Sequence, residues 1–457
     1  MGTINFEEYI NSGACGHLIG IGGVSMSPLA EVLHGMGLKI TGSDMKDSDT
    51  ITRLRNLGIK ISIGHDEKNI NGADFIIRTA AARAENVEIA AATAAGIPIY
   101  ERAEAWGYIM KGYKNAICIA GTHGKTTTTS MTTHILMEAG ADPTVMIGGT
   151  LPMLKSGHHV GQGDTIVLES CEYYNSFHSF FPTIAVILNV EADHMDFFNS
   201  LDEVKDSFNK FADLVPADGH IVCNGDDETT MDSLRSLNRE LFTFGLGENV
   251  RVRGENIVSK SSGSSFDITF DGKMFAHINF SLPGNHNVMN ALAATAAAIK
   301  LGIPASTIER GLASFTGAGR RFEHKGHYNG AVVYDDYAHH PGELHALFDA
   351  VAPLDYKRTI VAFQPHTYTR TSALFDDFVK ELARADVLYL AEIYAAREKN
   401  TIGISSKDLA DKIPGSRYCE TFEEILECLK ETASEGDIIL TVGAGDIYKV
   451  GENLISL

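Results

Sequence analysis

One stretch limits this chain more than any other. Ala120-Gly121-Thr122-His123-Gly124-Lys125-Thr126-Thr127-Thr128-Thr129 follows the apolar run Ala116-Ile117-Cys118-Ile119 and leads into a helix-like segment ending near Gly140. A strand, a glycine turn, a lysine and then hydroxyls opening a helix form the layout of a nucleotide-phosphate cradle. The glycines let backbone N–H groups approach phosphate oxygens, and a helix N-terminus favours negative charge. Lys125 would reach the β/γ-phosphates, while Thr126 or Thr127 would offer a hydroxyl to Mg²⁺. The loop is a shortened variant, since Ile119 stands where the general motif has its first glycine. An ordinary glycine-capped turn would leave a run of β-branched threonines at a helix start without a purpose, because threonine is a mediocre helix former.

Such a loop sits in a parallel sheet, whose strand ends share one crevice. The length, 457 residues, allows two to four domains with real cores. Apolar residues make up 44% and charged residues 21%, as in soluble globular proteins. A formal net charge of −21 argues against a sequence-independent grip on nucleic acid or anionic membrane. An anionic substrate therefore needs local Arg and Lys. Cys15, Cys118, Cys171, Cys223, Cys419 and Cys428 are scattered without metal-ligand spacing, which reads as reduced thiols in a reducing compartment. The N-terminus shows neither a basic segment nor an apolar one, and no run reaches membrane-spanning length. The expectation is a cytoplasmic protein without membrane insertion, a monomer or weak homodimer.

Residues 1–107 read as a Rossmann-like domain. His17 to Ile19 is a strand entering a turn with Gly20, Gly22 and Gly23, and a second strand ends in Asp44, 24 residues after Gly20. This approaches the dinucleotide fingerprint, but Ser25 replaces its third glycine. It supports a diphosphate at a helix N-terminus with Asp44 toward the nucleoside. Arg78 and Arg102, each after an apolar strand, are candidates for a substrate phosphate or carboxylate.

Residues 108–314 form a central domain around the phosphate loop. Thr165–Leu168 runs into Glu169 and then Glu172; Thr183–Val190 runs into Glu191-Ala192-Asp193-His194-Met195-Asp196. A Glu and a His at such strand ends can bind a hard cation beside nucleotide phosphates. From about 250 to 282 the pattern alternates, with Asp271-Gly272 marking a hairpin. Asn287 and Asn290 then lie one turn apart on a long Ala-rich helix, where they could read a base edge. Residues 315–457 read as a third α/β unit. It opens with a glycine hinge carrying Arg320 and Arg321, and four strands end in polar clusters that include Asp336, His366 and Arg370.

An ATP-like loop, a Mg²⁺ site and a cationic hinge make a phosphoryl-transfer apparatus. The economical reaction is carboxylate activation, in which ATP phosphorylates a carboxylate and an amine attacks the acyl phosphate. The motifs Gly20–Met26, Gly121–Thr126, Asn189–Asp196, Pro283–Asn287 with Asn290, Gly319–Phe322 and Asp335–His340 together resemble the Mur ligases of peptidoglycan precursor synthesis. The likeness covers essentially the whole length. It implies an α/β protein of three domains: N-terminal Rossmann-like, central P-loop ATPase-like with a parallel sheet and β-hairpin region, and C-terminal Rossmann-like. It implies joining of L-alanine to the carboxylate of UDP-N-acetylmuramate with ATP, a step in cell-wall biogenesis, cell shape and division.

The same resemblance implies catalytic roles for Lys125, Glu169, His194 and Arg321. Thr126 and Glu169 would hold one Mg²⁺, and Glu169 with His194 a second. ATP would be met by Gly121, Thr122, His123, Gly124, Lys125, Thr126, Thr127, Asn287, Asn290, Arg321 and Asp336. The sugar nucleotide would be met by Gly20, Gly22, Gly23, Asp44, Arg78, Arg102 and His123, and alanine by His366 and Arg370. Thr367 stands where many relatives carry Arg. A carbamylated lysine, found in sister ligases, is not expected at Lys205 or Lys210. Two other readings compete: a recycling ligase attaching an intact tripeptide, favoured less by Glu191–Asp196 and Tyr394–Glu398, and an NAD-dependent oxidoreductase, resting only on the incomplete first glycine motif.

Overall fold

A computed structural model describes all residues except 1–5, 11, 24, 80, 81, 84, 196, 261, 262, 397 and 457. Val24, Ala80, Asp196 and Arg397 of the sequence motifs therefore lie outside the described residues. The strands form three sheets. The first contains β1 (Cys15–Ile19), β2 (Lys39–Asp44), β3 (Lys60–Ile63), β4 (Phe75–Arg78) and β5 (Ile99–Glu101), all parallel in the order β3-β2-β1-β4-β5. Strand order reverses beside β1, so the Gly20 turn sits at the switch point where such sheets bind ligands.

The second sheet has ten strands: β6 (Asn115–Ala120), β7 (Thr144–Leu151), β8 (Ser156–His159), β9 (Thr165–Glu169), β10 (Ile184–Ile187), β11 (His220–Asn224), β12 (Leu241–Gly245), β13 (Val252–Lys260), β14 (Gly263–Phe270) and β15 (Lys273–Phe280). The phosphate-loop strand β6 is interior, parallel to β10 on one side and β9 on the other. Both strands expected to end in chemistry are thus its immediate neighbours. The hairpin β14–β15 turns through Asp271 and Gly272, both at positive φ (47° and 74°), as a tight primed turn requires. The β7–β8 hairpin was not anticipated; its Gly148-Gly149 and Ser156–His159 stretches lack a clean alternation.

The third sheet contains β16 (Glu323–Tyr328), β17 (Ala331–Asp336), β18 (Thr359–Phe363), β19 (Val387–Leu390), β20 (Arg417–Tyr418) and β21 (Ile438–Val442), in the order β16-β17-β21-β18-β19-β20. The four expected strands are adjacent and parallel, so their polar ends share one edge. β17 extends further than expected, which puts Asp335 and Asp336 inside the strand.

The continuous apolar runs of the inner strands follow from burial on both faces. Alternate residues of β6 serve different cores: Cys118 and Ala120 face one shared with the N-terminal sheet, while Ile117 and Ile119 face one built on the Ala-rich helix Asn285–Lys300. The helix Lys125–Glu138 packs on that helix and on Ala305–Ala313. Its threonines are buried, and from Thr129 onward hydroxyls are satisfied within the helix: Thr129, Ser130, Thr132 and Thr133 each donate to the carbonyl four residues back, at 2.7–2.8 Å. Among the described residues, no helix is long and apolar enough to cross a membrane.

The N-terminal and central sheets are joined through the helix Arg102–Met110, which buries Trp106 completely and lies against the segment Tyr173–Ser179. A Cβ at Gly107 would stand 1.9 Å from the Ser179 carbonyl oxygen. Gly107→Ala is therefore expected to destabilise the protein by about 1–3 kcal/mol through overpacking, read as a lower Tm in thermal unfolding. An unchanged Tm would mean that this contact is not tight.

Candidate active site

The phosphate loop is held from beneath by Asn189, just beyond β10. Its side-chain oxygen accepts from His123 N (2.7 Å), its amide donates to His123 O (3.2 Å), and its carbonyl accepts from Thr122 N (3.1 Å). Thr122 Oγ1 in turn accepts from Glu191 N at 2.9 Å. The Thr122 and His123 amides are thus committed to the scaffold. What faces a ligand is the first turn of Lys125–Glu138, whose N–H groups have no intrahelical acceptor. Gly124 has φ 81°, and a Cβ there would lie 2.4 Å from Asn290 Oδ1, so backbone and neighbour both require glycine. Asn189 was legible as part of a motif but not as this buttress.

Lys125 Nζ donates to the carbonyls of Gly121 and Thr122 (2.9 Å for the latter) and to Glu172 Oε2 at 3.2 Å. Burial would lower its pKa, but Glu172 and Glu169 more than offset this and hold it above the ordinary lysine value. Thr126 Oγ1 donates to Glu169 Oε1 at 3.1 Å, and Gly148 N donates to Glu169 Oε2 at 2.6 Å. His194 Nε2 is 3.8 Å from Glu172 Oε1 and 3.7 Å from Asp193 Oδ2, and its ring stacks on Tyr173 at 4.3 Å. Burial lowers its pKa against the pull of Asp193 and Glu172. Two groupings are in place in the structure, Thr126 with Glu169, and Glu172 with Asp193 and His194. Glu172 was absent from the expected set. Its place three residues after Glu169, beyond the same strand, was the available signal.

A cavity of about 370 Å³ opens between the central and C-terminal sheets, lined by Gly124, Thr127, Asn287, Asn290, Arg321 and Asp336 among others. The two asparagines share it, yet each has spent part of its amide: Asn290 Oδ1 accepts from Thr128 Oγ1 (3.1 Å) and Asn287 Nδ2 donates to Pro283 O (2.7 Å). Of the hinge cations, Arg320 is fixed by Asp335 (2.9 Å) and by the carbonyls of Gly443 and Gly445. Arg321 is left facing the cavity, 3.7 Å from Glu343 and over the Tyr337 ring. The Asp336 carboxylate accepts from Phe322 N (2.7 Å) and Ala338 N (2.8 Å), so it shapes the hinge; burial raises its pKa to about 6 against the pull of Arg321.

His123 meets residues of the C-terminal unit. Its Nε2 lies 3.4 Å from Glu191 and its Nδ1 3.5 Å from Glu343, with His340 packed 4.9 Å away. Burial alone would depress its pKa, but the two carboxylates raise it to about 9. Its immediate neighbours are therefore two acids and an imidazole. Glu343 was missed. It completes a capping box with His340 at the start of the helix Pro341–Val351, and that spacing could have flagged it.

A second cavity, about 410 Å³, lies between Tyr173, Asp193 and His194 on one side and His366, Arg370 and Glu398 on the other. Arg370 donates to Asp193 Oδ1 at 3.2 Å, and burial of Asp193 is outweighed by Arg370 and His194, which hold its carboxyl well below the usual range. His366 stacks on Tyr394, and burial followed by Arg370 lowers its pKa to about 4. Glu398 caps the short helix after Thr367 through the amides of Tyr368 (2.7 Å) and Thr369 (3.0 Å).

In the N-terminal sheet, Asp44 accepts from Gly22 N at 2.9 Å, which ties the acid to the Gly20–Gly23 turn. Arg78 is engaged by Glu101 and the Ala82 carbonyl. Burial lowers the pKa of Arg102, against the pull of the neighbouring Glu101.

Three family profiles match in sequence order: Mur ligase family, catalytic domain, over residues 16–114; Mur ligase middle domain, over 119–298; and Mur ligase, glutamate ligase domain, over 320–445. The chain is 46% identical to UDP-N-acetylmuramate–L-alanine ligase of Caldanaerobacter subterraneus subsp. tengcongensis, covering 96% of each chain. It is 44% identical to the enzyme of that name from Clostridium novyi, over 95% of this chain and 96% of the relative. Among solved structures, it resembles UDP-N-acetylmuramate-alanine ligase from Thermotoga maritima, with TM-score 0.81 and 29% identity over 97% and 98% of the two chains. A murein peptide ligase from Psychrobacter arcticus shares the fold, with TM-score 0.71 and 24% identity over 97% and 98%. The order of the three profiles, the near-complete coverage and the site geometry agree, and the chain belongs to the Mur ligase family.

Proposed function

We propose that this chain is an ATP-dependent ligase that joins L-alanine to the carboxylate of UDP-N-acetylmuramate through an acyl phosphate, in peptidoglycan precursor synthesis. The observation that carries this reading is the 46% identity, over 96% of both chains, to a relative bearing that activity. The geometry supplies the means. A carboxylate oxygen attacks the γ-phosphorus of ATP, and ADP leaves. The amine of alanine then attacks the acyl carbon, loses a proton, and phosphate departs.

In this reading the first-turn amides of Lys125–Glu138 and the Lys125 ammonium bind the phosphates and stabilise charge on the transferring group. Arg321, carried on the hinge, meets them from the C-terminal side. Asn287 and Asn290 border the base, and His366 with Arg370 receives alanine in the second cavity. Gly20, Gly22, Gly23 and Arg102 serve the sugar nucleotide, with Asp44 shaping their turn. The residues present also fit Mg²⁺: the donors are mainly oxygens, and Glu172 Oε1 is a buried carboxylate oxygen with no hydrogen-bond partner. Thr126 with Glu169, and Glu172 with Asp193 and His194, would hold it; bound there, the cation neutralises phosphate charge. Apposition of the C-terminal unit keeps water from the acyl phosphate.

Phosphate release in the presence of ATP and UDP-N-acetylmuramate tests the substrate directly. Turnover is expected to depend on L-alanine, whereas dependence on an intact tripeptide would sink this assignment. Lys125→Ala should keep its circular dichroism spectrum, with a lowered Tm because buried Glu172 loses its partner, and lose about 10²–10³-fold or more in kcat; retained turnover would remove its assigned role. For Glu169→Gln, activity titrated against Mg²⁺ should show a greatly raised requirement. An unchanged Mg²⁺ curve would count against Glu169 as a ligand.

A further inference from the structure

We propose that His123, Glu191 and His340 form a binding site for a zinc-class divalent cation, separate from the oxygen-rich groups around Glu169 and Glu172. Each of the three offers a ligand atom, and these atoms lie within 4.8 Å of one another. His123 Nε2 and Glu191 Oε2 are 3.4 Å apart, and bonds of about 2.0–2.1 Å in a tetrahedron require ligand separations of roughly 3.3–3.4 Å.

Gly342 leaves the centre open. A Cβ on that residue would lie 3.2 Å from Glu191 Oε2, 3.3 Å from His123 Nε2 and 3.4 Å from His340 Nδ1, so three donor atoms surround one point that glycine keeps clear. His340 is 6% exposed, and the single lone pair of its Nδ1 accepts from Gly342 N at 3.2 Å, so a cation bound there takes the place of that N–H. His123 turns its other nitrogen, Nδ1, to Glu343 at 3.5 Å, the carboxylate–imidazole arrangement that orients metal-bound histidine. Two imidazoles and one carboxylate suit Zn²⁺, whereas Mg²⁺ prefers an all-oxygen octahedron. Binding replaces the proton on His123 Nε2, which passes to solvent.

The site exists only where two units meet. His123 and Glu191 belong to the central unit and His340 to the C-terminal one, and His123, Glu191 and Gly342 all line the cavity that holds Asn287 and Asn290. A cation held there pins the two units together at the phosphate-loop end of that cavity and obstructs it.

Cobalt(II) titrated into the full-length chain with Mg²⁺ in excess provides a readout that does not depend on turnover. The expected result is the intense visible absorption of tetrahedral Co²⁺, displaced by Zn²⁺. His340→Asn keeps an N-cap acceptor for Gly342 N–H and should leave the Tm unchanged while weakening Co²⁺ binding about tenfold or more. Glu172→Gln should leave the absorption intact. Absence of the tetrahedral bands, unchanged affinity in His340→Asn, or loss of the bands in Glu172→Gln would each overturn the proposal.

Discussion

The buried charge of Lys125 is the constraint to which the rest of the site answers. An ammonium taken out of water costs several kcal/mol unless it is paired and hydrogen-bonded. Here two loop carbonyls and Glu172 meet that demand. Glu172 is itself 2% exposed, so it needs the lysine as much as the lysine needs it. The pair can form only because β9 lies beside β6: the strand that carries the loop and the strand that leads to Glu172 are direct neighbours in register. The position of a charge inside the protein is thus set by strand order.

The same logic extends outward to the meeting of the sheets. β10, on the other flank of β6, delivers Asn189 to hold the loop, then Glu191 and Asp193 to face the C-terminal unit. Glu191 and Glu343 close on His123 from the two units, and Asp193 closes on Arg370. These bridges are partly buried ion pairs, so they specify how the units face each other more than they stabilise the assembly. The N-terminal sheet is joined differently, through a shared apolar core around Trp106, Phe177 and Phe211. One junction is apolar, and the other is polar.

The features legible in the sequence were those written in local pattern. A strand buried on both faces reads as an unbroken apolar run, so Ile117–Ala120, Ile184–Ile187 and Ile438–Val442 announced the parallel sheets. The glycine turn after β6 and the Asp271-Gly272 hairpin carried their own backbone signatures. Residues whose meaning depends on a distant partner were not legible in this way. Glu343 matters because His123, Arg321 and His339 converge on it from three places in the chain. The threonine run looked like a set of ligands for phosphate and metal. In the structure Thr126 alone reaches a site carboxylate, Thr128 buttresses Asn290, and the following hydroxyls fill helical backbone needs. Asp44 had the spacing of a ribose-binding acid, but spacing could not reveal that its carboxylate also accepts from Gly22 N–H.

The arrangement of charge also explains how a chain with net charge −21 can receive anions. Its cations are fixed, and each is held by an acid of the protein: Lys125 by Glu172, Arg321 by Glu343 and Arg370 by Asp193. A phosphate or carboxylate entering either cavity competes with these acids for partners that are already in place. One carboxylate–cation contact at about 4 Å is worth roughly 4 kcal/mol at an effective dielectric of 20, and exchanging one such contact for another nearly cancels. The sign of a ligand's charge therefore contributes little net affinity. Discrimination falls to geometry: whether an incoming anion reaches two or three of these cations at once, as a protein carboxylate on a single strand end cannot. A site built on pre-paired cations therefore favours ligands whose charged groups match the placing of those cations over a lone stray anion.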